Sequence, residues 1–139
     1  MKIKFRPDLA PNHVQRIGEL ANEGFYNGVP FHRVIPGFMI QGGDQLRSGT
    51  GDTGYTIVDE HVQPHNAAGQ LCMANRGPNT NSAQFFITDD AAPHLDNNYT
   101  IFGECSPVEL VHTIASVEKG PGDMPKAAPV IKKVSVTRK

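Results

Sequence analysis

Glycine and proline interrupt this sequence so often that it cannot sustain long regular elements. The chain has 14 Gly and 11 Pro in 139 residues, and the apolar runs between them are short. Short apolar runs bounded by turn formers read as β-strands. Met1 to Arg6 alternates, with Ile3 and Phe5 on one face, and reads as a strand from the first residue. Further strands are expected at Phe31–Ile35, Phe38–Gly42, Tyr55–Val58, Leu71–Ala74, Gln84–Thr88, Thr100–Glu104 and Val130–Thr137. Two segments carry the helical period instead. Pro11 to Asn22 places Val14, Ile17, Leu20 and Ala21 on one face, and Gly24 follows as a stop. Ser106-Pro107-Val108-Glu109 reads as a capping box, with Val108, Val111, Ile114 and Ala115 as the apolar stripe behind it. No repeat or long linker divides the chain. Residues 1–139 are therefore expected to form one mainly β domain, a closed antiparallel barrel with a helix over each open end.

Several classes of function fall away on composition. The formal net charge is −1, and basic residues are dispersed apart from Lys132, Lys133, Arg138 and Lys139. That tail reads as a solvated strand face, so no nucleic-acid partner is expected. No apolar run approaches the roughly 18 residues of a membrane-spanning helix, and no membrane role is expected. Cys72 and Cys105 each lie beside apolar residues and read as buried free thiols. With no signal-peptide pattern at the N-terminus, they point to a reducing, cytoplasmic compartment. A monomer is the default.

Most short motifs have a plainer reading. GTGDTG, Gly49 to Gly54, matches G-x-G-x-x-G, but the YTIV that follows reads as a strand rather than a helix, which favours a hairpin loop over a phosphate cradle. His61 and His65 are four apart beside Asp59 and Glu60, yet Pro64 spoils the helix that would align two metal ligands. Asn98-Tyr99-Thr100 is a glycosylation triplet without a secretion signal. Neither cysteine sits in a nucleophile motif, and G-x-S-x-G does not occur. No metal and no cofactor are expected.

FHRVIPGFMIQGGD, Phe31 to Asp44, is different. Arg33 and Gln41 stand among Phe31, Val34, Ile35, Phe38, Met39 and Ile40, with Asp44 as the one acid nearby. Burying an unpaired guanidinium costs several kcal/mol, roughly, so Arg33 is either solvated or placed for use. Together with MANRGPNTNSAQFFI, Met73 to Ile87, and HLDNNYTIFGE, His94 to Glu104, this segment resembles the signature blocks of the cyclophilin family of peptidyl-prolyl isomerases. The resemblance covers nearly the whole chain. It implies an eight-stranded antiparallel barrel with a helix at each end, and catalysed rotation about Xaa-Pro bonds in peptides and in unfolded or flexible protein segments.

Roles follow from the resemblance position by position. Arg33 matches the arginine set beside the substrate proline. Phe38, Met39, Phe86 and Leu95 match the apolar floor and walls that receive the proline ring. Gln41 and Gln84 match polar side chains that hold the substrate backbone, and Asn75 matches a residue that binds it through main-chain groups. Ala74 lines the same groove, Tyr99 matches a position that is histidine or tyrosine, and Phe31 and Phe102 match residues that buttress the site. Arg33, Phe38 and Gln41 are thus the expected catalytic set, with the others binding substrate.

Three departures matter. His94 stands where many members carry a tryptophan at the pocket rim, which implies weak cyclosporin binding. Arg76 replaces a usual alanine and is expected to favour acidic or small residues upstream of the proline. The family also places a further strand before the one resembling Met1–Arg6, so either the sequence starts late or the barrel closes differently. The same groove would serve a proline-binding module with little turnover, and it would be incidental in a chaperone-like or structural protein.

Overall fold

The computed structural model describes residues 1–44, 56–60, 64–132 and 134. Seven strands make one antiparallel sheet: β1 (Lys2–Phe5), β2 (Val29–Ile35), β3 (Met39–Gly42), β4 (Gln70–Met73), β5 (Phe85–Thr88), β6 (Ile101–Ser106) and β7 (Val130–Ile131). Their spatial order is β1-β6-β4-β5-β3-β2-β7. Helix α1 (Pro11–Asn22) follows β1, and α2 (Val108–Ala115) follows β6. Strands β1 and β7 are the two edges and do not pair. Among the described residues the sheet is therefore a curled half-barrel, not the closed eight-stranded barrel expected from the sequence. An apolar hollow of about 470 Å³ opens between these edges, lined by Ile3, Phe31, Val130 and Ile131 among others.

Alternation along the strands sorts the apolar side chains onto two faces. Val34, Ile40, Leu71, Phe85, Ile87 and Phe102 join Ile17, Leu20 and Ala21 of α1 and Val111 and Ala115 of α2 in the main core. Phe31 and Phe102, expected to buttress the site, belong to this core. Met39, Cys72, Phe86 and Ile101 point the other way and pack with Ala92 and Leu95. This second, smaller cluster is the base of the site.

One irregularity is decisive for that division. Between Phe31 and Arg33 the register of β2 against β3 slips: Phe31 faces Gly42, and Arg33 already faces Gln41. The bulge allows Phe31 and Val34, three apart, to enter the same core. Arg33 is left exposed beside Gln41 on the opposite face.

Helix α1 ends as its sequence suggests. Gly24 has φ +79°, and Phe25 N–H donates to Leu20 O (3.0 Å) while Gly24 N–H donates to Ala21 O (3.1 Å). This is the two-bond left-handed cap that glycine favours. Helix α2 departs from expectation. Ser106 is committed to β6, paired with Lys2, so Pro107 becomes the cap residue and no side-chain capping bond forms. The expected strand at Tyr55–Val58 is reduced to a single bridge, Ile57 with Asn81, and Tyr55 lies outside the described residues. The last strand is two residues long among the described residues; Lys133 and residues 135–139 lie outside them. The GTGDTG stretch and His61 lie outside them too.

Gly43, just after β3, has φ +90°, and a Cβ there would come within 2.8 Å of Ala83 O and 3.0 Å of the Phe85 ring. Both the backbone conformation and the space demand glycine. Gly43→Ala is expected to lower unfolding stability by about 2 kcal/mol or more, read as a shift in urea midpoint. An unchanged midpoint would mean that the β3–β5 approach is looser than described.

Candidate active site

Arg33, Phe38, Met39, Gln41, Ala74, Asn75, Phe86, Leu95 and Tyr99 line a single hollow of about 170 Å³. Strand β3 supplies Met39 and Gln41, and β5, its antiparallel neighbour, supplies Phe86 directly opposite Gln41. Met39, Phe86 and Leu95 are buried at the base. The 3-10 turn Pro93–Leu95 covers the cluster from above and delivers Leu95. Tyr99 stands edge-on to Phe86, ring centroids 5.5 Å apart.

The two remaining expected residues sit at the margins. Gln84 is nearly buried, and its Oε1 accepts from Gln41 Nε2 at 3.1 Å, so the two amides brace each other on one side of the hollow. His94 is exposed at the rim, its ring 5.2 Å from that of Phe38. It also lines a neighbouring hollow of about 570 Å³, with Arg76, Asn97 and Tyr99.

Asn75 keeps its side chain busy: Nδ2 donates to Asn98 O (2.8 Å) and Oδ1 accepts from Gly77 N–H (3.2 Å). Its main-chain N–H and C=O make no intramolecular hydrogen bond among the described residues, and Asn75 lines the hollow. Arg33 is exposed and takes no carboxylate partner among the described residues. Asp123, the acid whose carboxyl Arg33 helps hold below its usual range, is bonded to Lys119 instead (2.7 Å), and that lysine is the main cause of the shift. The site therefore offers an available guanidinium at the lip of a hollow with an apolar base, with amides and an unbonded stretch of main chain beside it.

Loops are pinned around this arrangement by buried histidines. His65 is buried; its Nδ1 lies 3.1 Å from Asp96 Oδ1, and its main-chain N–H donates to the same oxygen at 2.7 Å. These bonds, the main-chain one first, hold the Asp96 carboxyl below its usual range and tie down the segment that carries Leu95 and Tyr99. His65 is thus a structural pin among the described residues; His61 lies outside them. His13 of α1 is fully buried and lies 2.6 Å from Glu60 Oε1, which also accepts the His13 main-chain N–H at 2.9 Å. Burial lowers the His13 pKa, outweighing the raising effect of Glu60. Asn81, like Glu60, acts to raise it, but the loss of solvent around the ring is the larger effect. In the sequence, Glu60 and Asp59 carry no signal beyond their place beside the His61–His65 spacing. Their placement under α1 and against Asn79 and Asn81 depends on contacts too distant in sequence to leave a local signal.

Both free cysteines are buried, as expected. Burial pushes the Cys72 thiol up and that of Cys105 up to about 12.

A family model described as cyclophilin type peptidyl-prolyl cis-trans isomerase/CLD matches residues 1–136. Peptidyl-prolyl cis-trans isomerase B of Bacillus subtilis is 50% identical over 107 residues, 74% of this chain and 75% of its own. Peptidyl-prolyl cis-trans isomerase-like 2 of Gibberella zeae is 44% identical over 128 residues, 88% of this chain, but the match spans only 22% of that longer protein. A crystal structure of a Cryptosporidium parvum cyclophilin type peptidyl-prolyl cis-trans isomerase, in the presence of the dipeptide Ala-Pro, superposes with a TM-score of 0.92 at 30% identity. The superposition covers 99% of this chain and 92% of that one. The chain belongs to the cyclophilin-type peptidyl-prolyl cis-trans isomerases.

The buried histidines make stability depend on pH. Burial lowers the pKa of both His13 and His32. The unfolded chain then binds more protons than the folded one near and below the ordinary imidazole value of about 6.5. Stability is therefore full above that value and falls as the medium is acidified. The urea midpoint should drop between about pH 7 and pH 5, and His13→Gln should flatten that drop. A midpoint constant across the window would show that the rings titrate in the fold as they do in the unfolded chain.

Proposed function

We propose that this chain rotates Xaa-Pro bonds in the hollow beneath Arg33, acting on proline-containing peptides and on unfolded or flexible protein segments. The available guanidinium above an apolar floor is the observation that carries the reading. Resonance gives an amide a rotation barrier of roughly 18–20 kcal/mol, and uncatalysed exchange before proline takes tens of seconds or more. In the twisted transition state the imide nitrogen is pyramidal and its lone pair is localised. An Arg33 N–H directed at that lone pair binds the twisted form better than either planar isomer, and this difference lowers the barrier. The step calls for no nucleophile, metal or cofactor.

The other residues hold the two halves of the substrate apart. Phe38, Met39, Phe86 and Leu95 grip the proline ring, with Ala74 and Tyr99 completing the groove. Asn75 meets the substrate backbone through its unpaired main-chain groups, as an adjoining strand would, and Gln41 and Gln84 hold it from the other side. The dipeptide present with the Cryptosporidium parvum relative supports a proline-sized occupant. An eighth strand seated between β1 and β7 would complete a closed barrel, a reading supported by the apolar lining there.

Arg33→Ala should lower kcat/KM for a proline peptide by about a hundredfold while changing peptide binding little. A rate within twofold of wild type would overturn the proposed chemistry. Peptide binding without acceleration by the wild type would instead point to a proline-binding module. His94 at the rim offers less apolar area than an indole and a different donor. Cyclosporin inhibition should therefore be weak, and His94→Trp should tighten it about tenfold, the equivalent of roughly 1.4 kcal/mol. Tight inhibition of the wild type would sink this part of the reading.

A further inference from the structure

Phe38 is not held by the strand ladder. Strand β3 begins one residue later, at Met39, and Phe38 belongs to the turn that joins β2 to β3. Inside the turn one hydrogen bond closes the chain, from Phe38 N–H to Ile35 O at 3.0 Å, across Pro36 and across Gly37 at φ +78°. The rest of the hold comes from outside. Asp89, the residue after β5, accepts the Gly37 N–H on Oδ2 at 2.8 Å, and its own N–H donates to Phe38 O at 2.8 Å. One residue thus grips the main chain on both sides of the Gly37–Phe38 unit. The Asp89 side chain is 2% exposed and does not line the hollow. A carboxylate so enclosed needs donors. Its second one is His112 of α2, which is 65% exposed and brings Nδ1 within 3.0 Å of Oδ2 and 3.3 Å of Oδ1.

We propose that Asp89 is a positioning residue for this isomerase: it fixes the Phe38 wall through the turn, and His112 holds it in place from α2. The proposal rests on reading the hollow as the proline pocket. Arg33 and Gln41 are paired with each other in the ladder and do not depend on the turn. Releasing Asp89 therefore loosens the wall that grips the ring but leaves the guanidinium where it is. Loss of grip common to the planar and twisted substrate raises KM and spares kcat. A residue needed only for general stability would show no such split.

Steady-state isomerisation of a proline peptide by four variants tests this. Asp89→Ala should raise KM about fivefold, the scale of one lost hydrogen bond, with kcat within about twofold of wild type. Asp89→Asn retains an acceptor at the same reach and should restore KM. His112→Ala, at an exposed helix position, should raise KM about twofold. In a Phe38→Ala background, Asp89→Ala should add nothing, because the wall it positions is already gone. Additive effects, failed rescue by asparagine, or kcat falling with the folded fraction at constant KM would overturn the proposal. If Asp89→Ala does not fold, His112→Ala decides, and an unchanged KM overturns it. Raised KM in Phe38→Ala beside an unchanged one in Asp89→Ala refutes the positioning role alone. Wild-type KM in Phe38→Ala refutes the reading of the hollow and this proposal with it.

Discussion

Strand alternation assigns each residue to one side of a sheet, and the bulge in β2 is what reconciles that rule with the site. Without the slip between Phe31 and Arg33, Phe31 and Val34 could not both enter the main core. One of them would share a face with Arg33, and either the core or the site would lose a member. With the slip, both apolar side chains are buried, and Arg33 stands next to Gln41, two strands from Phe86. The polar and apolar halves of the hollow are adjacent because one residue of β2 has no partner in the ladder. Core packing and the lining of the hollow are satisfied by the same local defect.

Electrostatics make the same separation. Arg6 is clamped between Asp8 and Glu104, Lys119 meets Asp123, and Lys126 meets Glu118. Carboxylates are available in this fold, and cations elsewhere use them. Arg33 does not, although Asp123 is close enough to feel its charge, because that acid is already bonded to Lys119. An exposed guanidinium pays little for remaining unpaired in water. In the proposed reaction a substrate that covers it would lower the screening, and the same charge would act more strongly on the nitrogen beneath it.

The sequence made some of this legible and hid the rest for identifiable reasons. The strand positions follow from period-two alternation between breakers, and α1 with its Gly24 cap follows from the 3.6-residue stripe; each signal is local. All nine residues lining the hollow lie in the blocks that carry the family resemblance, which is why they could be named in advance. The capping box at Ser106 misled because the serine is also the partner of Lys2 in the sheet, and strand pairing takes precedence over a local motif there. The seam between β1 and β7 is signalled only through the resemblance, which places a further strand before the one resembling Met1–Arg6. No local pattern marks it, because edge pairing is a property of the whole sheet. The roles of Asp89, His65 and Glu60 were likewise hidden: each grips a segment from another part of the chain, and no local pattern points to such a partner.

These remote grips share a logic. The hollow is built on strands, but its rim is made of turns and loops, where main-chain groups have few partners of their own. Asp89 binds the turn at Gly37, Asp96 binds His65, and Glu60 binds the start of α1. In each case a carboxylate accepts a main-chain N–H and lies against a histidine, and the His13 and His65 rings are fully buried. Carboxylates suit this work because a charged acceptor makes a stronger bond to N–H than a neutral one does. The imidazole supplies a second donor without the long flexible stem of lysine. Loops held in this way keep their shape while the hollow is empty, so little ordering remains to be done when a proline arrives.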